Sequence, residues 1–359
     1  MNTIRRVAVL GAGAMGSRIA AHFANAGTPA LLFDVVLPGE RDRSAAARRG
    51  IENAARQKPE GFFTEESAAL VTPLNFEDHL PRLAECDWIV EAVAENLDIK
   101  RGLLAKVEAV RRPGAILSTN TSGIPLALIS ENFGPETRRH FLGTHFFNPP
   151  RYLHLVEVIP GADTLPEILD FVSGFCGLRL GKGVVRSKDT PNFIANRIGS
   201  FFGGTVHKLT VEGGYSVEEV DALTGPLIGM PKSASFRLLD VFGLDIWAHV
   251  ARNLYEAVPE DPWRDRFVLP DFMEKLVERK WLGEKTGQGF KARGKRRSKG
   301  NTRDRLEDAR VPPREEGALP LGGRRPQHRR SPRASPRSGS SRGPRRLLPL
   351  AAVSRSVSL

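Results

Sequence analysis

From residue 1 to 188, unbroken apolar runs alternate with segments whose apolar positions recur at helical spacing. Val7-Ala8-Val9-Leu10, Ala30 to Phe33, Trp88 to Val93, Ala115 to Ser118, Phe141 to Thr144 and Val184 to Arg186 have the form of buried strands. Leu153 to Ile159 reads as a further strand, and Val71-Thr72-Pro73 as the end of another. Between them the pattern predicts helices: one through Ile19, Ala20 and Phe23, then Arg41 to Arg56, Ile99 to Val110, Leu126 to Glu131 and Leu165 to Cys176. Strand and helix in alternation predict an α/β domain built on a doubly wound sheet.

At Asp189 the character changes, and from there to Phe290 the pattern is helical throughout. Pro191 suits a helix start, and Ser216-Val217-Glu218-Glu219 has the form of a capping box. Apolar positions run through Phe236, Leu239, Val241, Ile246, Trp247 and Val250, more than one amphipathic face hides. Residues 189–290 therefore read as an all-α domain for substrate and dimerisation. An ordinary core within one chain is the other account of the same pattern.

The first strand feeds Gly11-Ala12-Gly13-Ala14-Met15-Gly16, and the second ends at Asp34, 23 residues after Gly11. Each part has a physical task. Gly11 makes the tight turn, Gly13 lets the backbone approach a pyrophosphate, and Gly16 lets the helix lie close on the strand. The helix start, Met15 included, offers free N–H groups and a dipole to phosphates. Asp34 is placed to accept the hydroxyls of an adenosine ribose. Val35 and Val36 follow it with no adjacent arginine for a 2′-phosphate, which favours NAD over NADP. This is the signature of a Rossmann-type domain, predicted over 1–188.

In such sheets ligands lie at the carboxyl ends of the strands. Glu95, Lys100, Asn120 and Ser122 fall there. So does Thr144-His145-Phe146-Phe147-Asn148-Pro149-Pro150, with Glu157 twelve residues after His145. Histidine suits proton transfer near neutral pH. The Asn-Pro-Pro turn would reverse the chain and carry Glu157 back past His145, where a carboxylate fixes the tautomer and steadies an imidazolium. A structural histidine beside a surface glutamate is the plain alternative.

Charge alters the picture only after it is divided. The chain carries a net +12, from 53 basic and 41 acidic residues. Residues 291–359 hold 20 of the basic and 5 of the acidic ones, leaving 33 and 36 for the rest. All of the basic excess is therefore in the tail. That tail has no Phe, Trp or Tyr, so it is expected to be disordered, and nucleic-acid binding through it ranks low. The basic segment Arg41 to Arg56 reads either as a solvated face or as an arm for a phosphate-bearing substrate. Two cysteines, Cys86 and Cys176, exclude a disulfide framework. With no long apolar segment and no secretory leader pattern, the expectation is a cytoplasmic protein.

Taken in order, several segments resemble the L-3-hydroxyacyl-coenzyme A dehydrogenases of fatty-acid β-oxidation. They are Gly11 to Gly16, Glu91-Ala-Val-Ala-Glu-Asn96, Asn120-Thr-Ser122, His145-Phe-Phe-Asn-Pro149, Glu157, Asp189 to Arg197 and Gly283 to Phe290. The resemblance implies oxidation of a (3S)-3-hydroxyacyl-CoA with NAD. It makes His145 the general base, Glu157 its orienting partner, and Ser122 and Asn196 the groups that hold the reacting oxygen. Asp34, Glu95, Lys100, Ser122, Asn148 and Lys285 fall on positions that contact NAD in that family. A related dehydrogenase of free β-hydroxy acids is the alternative.

The chain departs from the family pattern in three places. Gly123 stands where a second serine often follows Ser122, and Asn192 where a glycine is common. Asn192, with Arg151-Tyr152-Leu153, resembles the bacterial branch in which an enoyl-CoA hydratase module follows. After Phe290 the resemblance stops within one residue, giving way to Lys291-Ala292-Arg293. A reading-frame change near codon 291 would produce such a break, and a genuine basic tail is the other account.

Overall fold

The computed structural model of the protein describes residues 3–290. The predicted tail, 291–359, lies outside the described residues. Eight strands form one sheet: β1 (Val7–Leu10), β2 (Ala30–Asp34), β3 (Val71–Asn75), β4 (Trp88–Glu91), β5 (Ile116–Thr119), β6 (Phe141–Phe146), β7 (Leu155–Pro160) and β8 (Gly183–Arg186). Their order is β3-β2-β1-β4-β5-β6-β7-β8. All neighbours run parallel except β6 and β7, which pair antiparallel. Pro73 lies in β3 at the edge, where a missing N–H costs no ladder bond.

The apolar runs are continuous because both faces of the sheet are covered. In β1, Val7 and Val9 join one core while Ala8 and Leu10 join the other. Ala30 and Leu32 of β2 likewise oppose Leu31 and Phe33. Helices Gly16–Asn25, Ala45–Arg56 and Pro166–Leu178 contribute to the first core, and Leu97–Val110 to the second. Burying each such side chain is worth about 2 kcal/mol, before the entropy it costs to order the chain.

The rest is helical: Ala195–Gly213, Val217–Leu223, Phe236–Phe242, Leu244–Ala257 and Asp271–Glu278. Ser216 accepts from the Glu219 N–H while the Glu219 side chain reaches back, so the predicted capping box is present. Pro191 does not begin a helix. The backbone turns left-handed at Asn192 (φ 61°) and Phe193 (φ 48°), and the helix starts only at Ala195. No helix among the described residues is long and apolar enough to cross a membrane.

Candidate active site

The first part of the site grows out of the glycine turn. Gly11 has φ +100°, and a Cβ there would come within 2.7 Å of the Ala92 carbonyl oxygen. Only glycine lets the turn after β1 pass so close to the loop after β4. A side chain at Gly16 would strike the Gly11 carbonyl, so this glycine serves the turn as well as the seating of the helix. Around Gly13, by contrast, nothing lies within 4 Å of a Cβ position. That opening faces the start of helix Gly16–Asn25, where Met15 provides no side-chain cap and stands against the core. Free N–H groups and open space are what a pyrophosphate needs.

Asp34 completes this half. Its carboxylate accepts from Ala12 N (2.6 Å) and Val35 N (2.7 Å), which aims it across the turn. A groove of about 770 Å³ follows, lined by Gly11, Gly13, Asp34, Val36, Phe76 and Ile99 among others. An acid at the ribose position, an apolar slot beyond it and an open glycine loop fit the adenosine diphosphate half of NAD.

The second part is the hairpin of β6 and β7. The antiparallel register sets His145 opposite Glu157. His145 Nδ1 and Glu157 Oε2 are 2.7 Å apart, and the residues are 4% and 0% exposed. The other carboxylate oxygen, Oε1, accepts from Ile194 N (2.9 Å) and Ala195 N (2.8 Å). The left-handed turn at Asn192 and Phe193 aims both N–H groups at one anion. Burial pushes the Glu157 carboxyl up, but the bonds from His145 and these two N–H groups outweigh it and hold the group below its ordinary value. An ionised Glu157 makes Nδ1 the donor and leaves Nε2 of the neutral ring as the acceptor. The Phe147 and Phe193 rings flank the imidazole at 4.4 and 5.8 Å between centroids.

The third part is the loop after β5. Ser122 N donates to Glu95 Oε1 (2.8 Å), which also accepts from Thr121 Oγ1 (2.7 Å). Behind Glu95 lies Lys100, 1% exposed, with its ammonium 2.8 Å from Glu91 and 3.2 Å from Glu95. Lys100 thus meets the site through Glu95. Asn196 Nδ2 reaches the Ser122 carbonyl at 3.4 Å, so the two predicted oxygen-holding residues are neighbours. Asn120 Oδ1 accepts from Phe146 N (2.9 Å), tying this loop to the strand that carries His145.

Two predicted residues lie elsewhere in the network. Asn148 is exposed after β6 and accepts a bond from Arg18. Lys285 is paired with Asp245 at the start of helix Leu244–Ala257, 2.6 Å from its carboxylate. Sequence reasoning missed Arg18, which also donates to Gln57 (2.7 Å) and so joins two helices to the Asn148 turn. Nothing in its spacing marked it. Glu91 was visible only as a motif letter, yet its fully buried carboxylate holds Lys100 and the Thr119 hydroxyl. An acid closing an otherwise apolar strand was the available signal.

Both halves of the chain are similar to known proteins. Residues 6–190 match the NAD binding domain of 3-hydroxyacyl-CoA dehydrogenase, and 193–293 match its C-terminal domain. The chain is 48% identical over 301 residues to a probable 3-hydroxyacyl-CoA dehydrogenase of Bacillus subtilis, covering 80% of this chain but only 38% of that protein. A probable 3-hydroxyacyl-CoA dehydrogenase of Deinococcus radiodurans is 45% identical over 287 residues, with 80% of this chain and 82% of the relative covered. The 3-hydroxybutyryl-CoA dehydrogenase of Escherichia coli K12 superposes with a TM-score of 0.70 at 28% identity, over 82% of this chain and 61% of that one.

Proposed function

The chain belongs to the 3-hydroxyacyl-CoA dehydrogenase family, and on that footing we propose that it oxidises (3S)-3-hydroxyacyl-CoA to 3-ketoacyl-CoA in fatty-acid β-oxidation. In this reading His145 is the general base and Glu157 orients it. The observation that carries it is the buried His145–Glu157 pair, whose carboxylate is held in turn by two backbone N–H groups. The family binds NAD, which when bound accepts the hydride from carbon 3.

The chain's own residues handle the proton and the oxygen. Nε2 of His145 takes the hydroxyl proton, and the ring becomes a cation beside an ionised carboxylate. Ser122 and Asn196 hold the substrate oxygen as it turns from hydroxyl to carbonyl. Glu95, fixed by Lys100, sets the position of Ser122. The groove lined by Asp34 holds the adenosine end of the cofactor, and alignment of the two reactants supplies much of the rate.

We assign 1–188 to cofactor binding and 189–290 to substrate closure and homodimer formation, in a cytoplasmic enzyme. The dimer reading is supported by large apolar side chains left open on the helices, Leu227, Val241 and Phe242 among them. The test of function is NADH consumption by the purified chain with acetoacetyl-CoA, a long-chain 3-ketoacyl-CoA, and free acetoacetate. Turnover of the thioesters is expected. Turnover of the free acid without the thioesters would overturn the reading.

A further inference from the structure

Gly123 and Asn192, the two internal positions at which the chain departs from its family pattern, are in contact across 69 positions of sequence. A Cβ on Gly123 would lie 2.6 Å from Oδ1 of Asn192. Asn192 is 6% exposed and left-handed, a backbone state that asparagine tolerates better than most side chains. Its Nδ2 points to the Val250 carbonyl at 3.5 Å.

The surroundings give this contact a purpose. Segment 189–196 holds the Ser122 loop at three places. Asp189 accepts from Leu126 N (2.9 Å) and Ala127 N (3.1 Å), Asn196 reaches the Ser122 carbonyl, and between these Asn192 abuts Gly123. The same segment supplies the Ile194 and Ala195 N–H groups to Glu157. One stretch of chain therefore sets both the loop that holds the substrate oxygen and the carboxylate behind His145.

We propose that Asn192 is a positioning residue of this active site, and that it forms a size-matched pair with Gly123 which seats the Ser122 loop at its working distance from His145. The missing side chain at 123 leaves room for the amide at 192, and the amide fills that room. A serine at 123 would push the tip of Asn192 aside, since the end of a side chain yields more easily than backbone. The expected damage is thus an Asn192 amide displaced from its seat against Gly123, so that the Ser122 loop loses its stop and turnover falls, with the fold retained. The proposal rests on the dehydrogenase reading above.

The test is the reciprocal exchange, read as kcat, the KM for NADH and the thermal midpoint, with acetoacetyl-CoA as substrate. Gly123→Ser and Asn192→Gly should each lower kcat by about tenfold with little change in the KM for NADH, and the double variant should recover to within about threefold of wild type, as contacting residues couple. Asn192→Gly keeps the left-handed backbone free of strain, and rescue in the double variant separates the lost side chain from the looser backbone. Should Gly123→Ser fail to fold, recovery of folded, active enzyme in the double variant is the same rescue. Losses that multiply in the double variant, or single variants with wild-type kcat, would overturn the pairing while leaving the dehydrogenase reading intact. A wild-type chain inactive on every 3-ketoacyl thioester would overturn both.

Discussion

In the sheet half, strands such as Val7–Leu10 and Trp88–Glu91 are wholly buried, and helices cover both faces. In the helical half, Ile198, Leu209, Leu227, Val241 and Phe242 stay more than half exposed. Of 23 large apolar residues left exposed among the described residues, 15 lie between Ile194 and Val268, in the smaller of the two halves. The sheet half thus closes its own core and can hold His145 and Asp34 rigidly. The helical half keeps apolar surface, which is where the proposed dimer would form its interface. Catalytic variants should therefore act locally in the first, and surface variants should act on assembly in the second.

The largest effect is expected at the base. His145→Gln should lower turnover about 100-fold or more while leaving NADH affinity nearly intact, as loss of general base catalysis implies. Glu157→Gln should also impair turnover, because both carboxylate oxygens accept bonds and an amide must turn its NH2 either to His145 or to the Ile194 and Ala195 N–H groups. Near-normal turnover in His145→Gln would break the assignment of chemistry to the sheet half. Next comes assembly. Leu227→Glu with Val241→Glu should weaken association about 30-fold, which sedimentation would read as monomer at micromolar concentration. An unchanged dimer would move the interface elsewhere.

Asp34→Ala should weaken NADH binding about tenfold and narrow the preference over NADPH, since the carboxylate accepts from the ribose and repels a 2′-phosphate. A wild type that already prefers NADPH would contradict this. The smallest effect compares two buried histidines. Burial holds His207, among Phe236, Trp247 and Phe272, down to about 4 from 6.5. Burial, with help from Lys182, does the same to His22 in the sheet half. Each fold therefore loses stability as the pH falls from 6.5 towards 4, because only the unfolded chain gains the proton easily. His207→Leu should flatten this acid slope by about 1 kcal/mol between pH 7 and 5.5. A slope unchanged in His207→Leu but flattened in a His22 variant would place the acid sensitivity in the sheet half.

The expectations held where the governing contacts are short in sequence or repeat with a fixed period. Strand positions followed from apolar runs that needed covering on two faces. The capping box at Ser216 closes over three residues, and the His145–Glu157 pair needed only the reversal through residues 147–154 between β6 and β7. Pro191 misled because its fixed φ suits both a helix start and the turn before one, and two left-handed residues intervene.

The amino-acid sequence by itself determined the glycine turn, the acid at the end of β2, the order of the sheet and helical parts, and the facing of His145 and Glu157. Those are products of steric limits and residue spacing, which act within a few turns of chain. Tertiary structure alone decided what holds Glu157 from behind, since Ile194 and Ala195 come from another element. It alone enclosed Lys100 between Glu91 and Glu95, joined Arg18 to Asn148, and brought Asn192 against Gly123. Each of these depends on how strand ends, helices and loops pack at the carboxyl ends of the strands, and no period along the chain encodes a meeting of that kind.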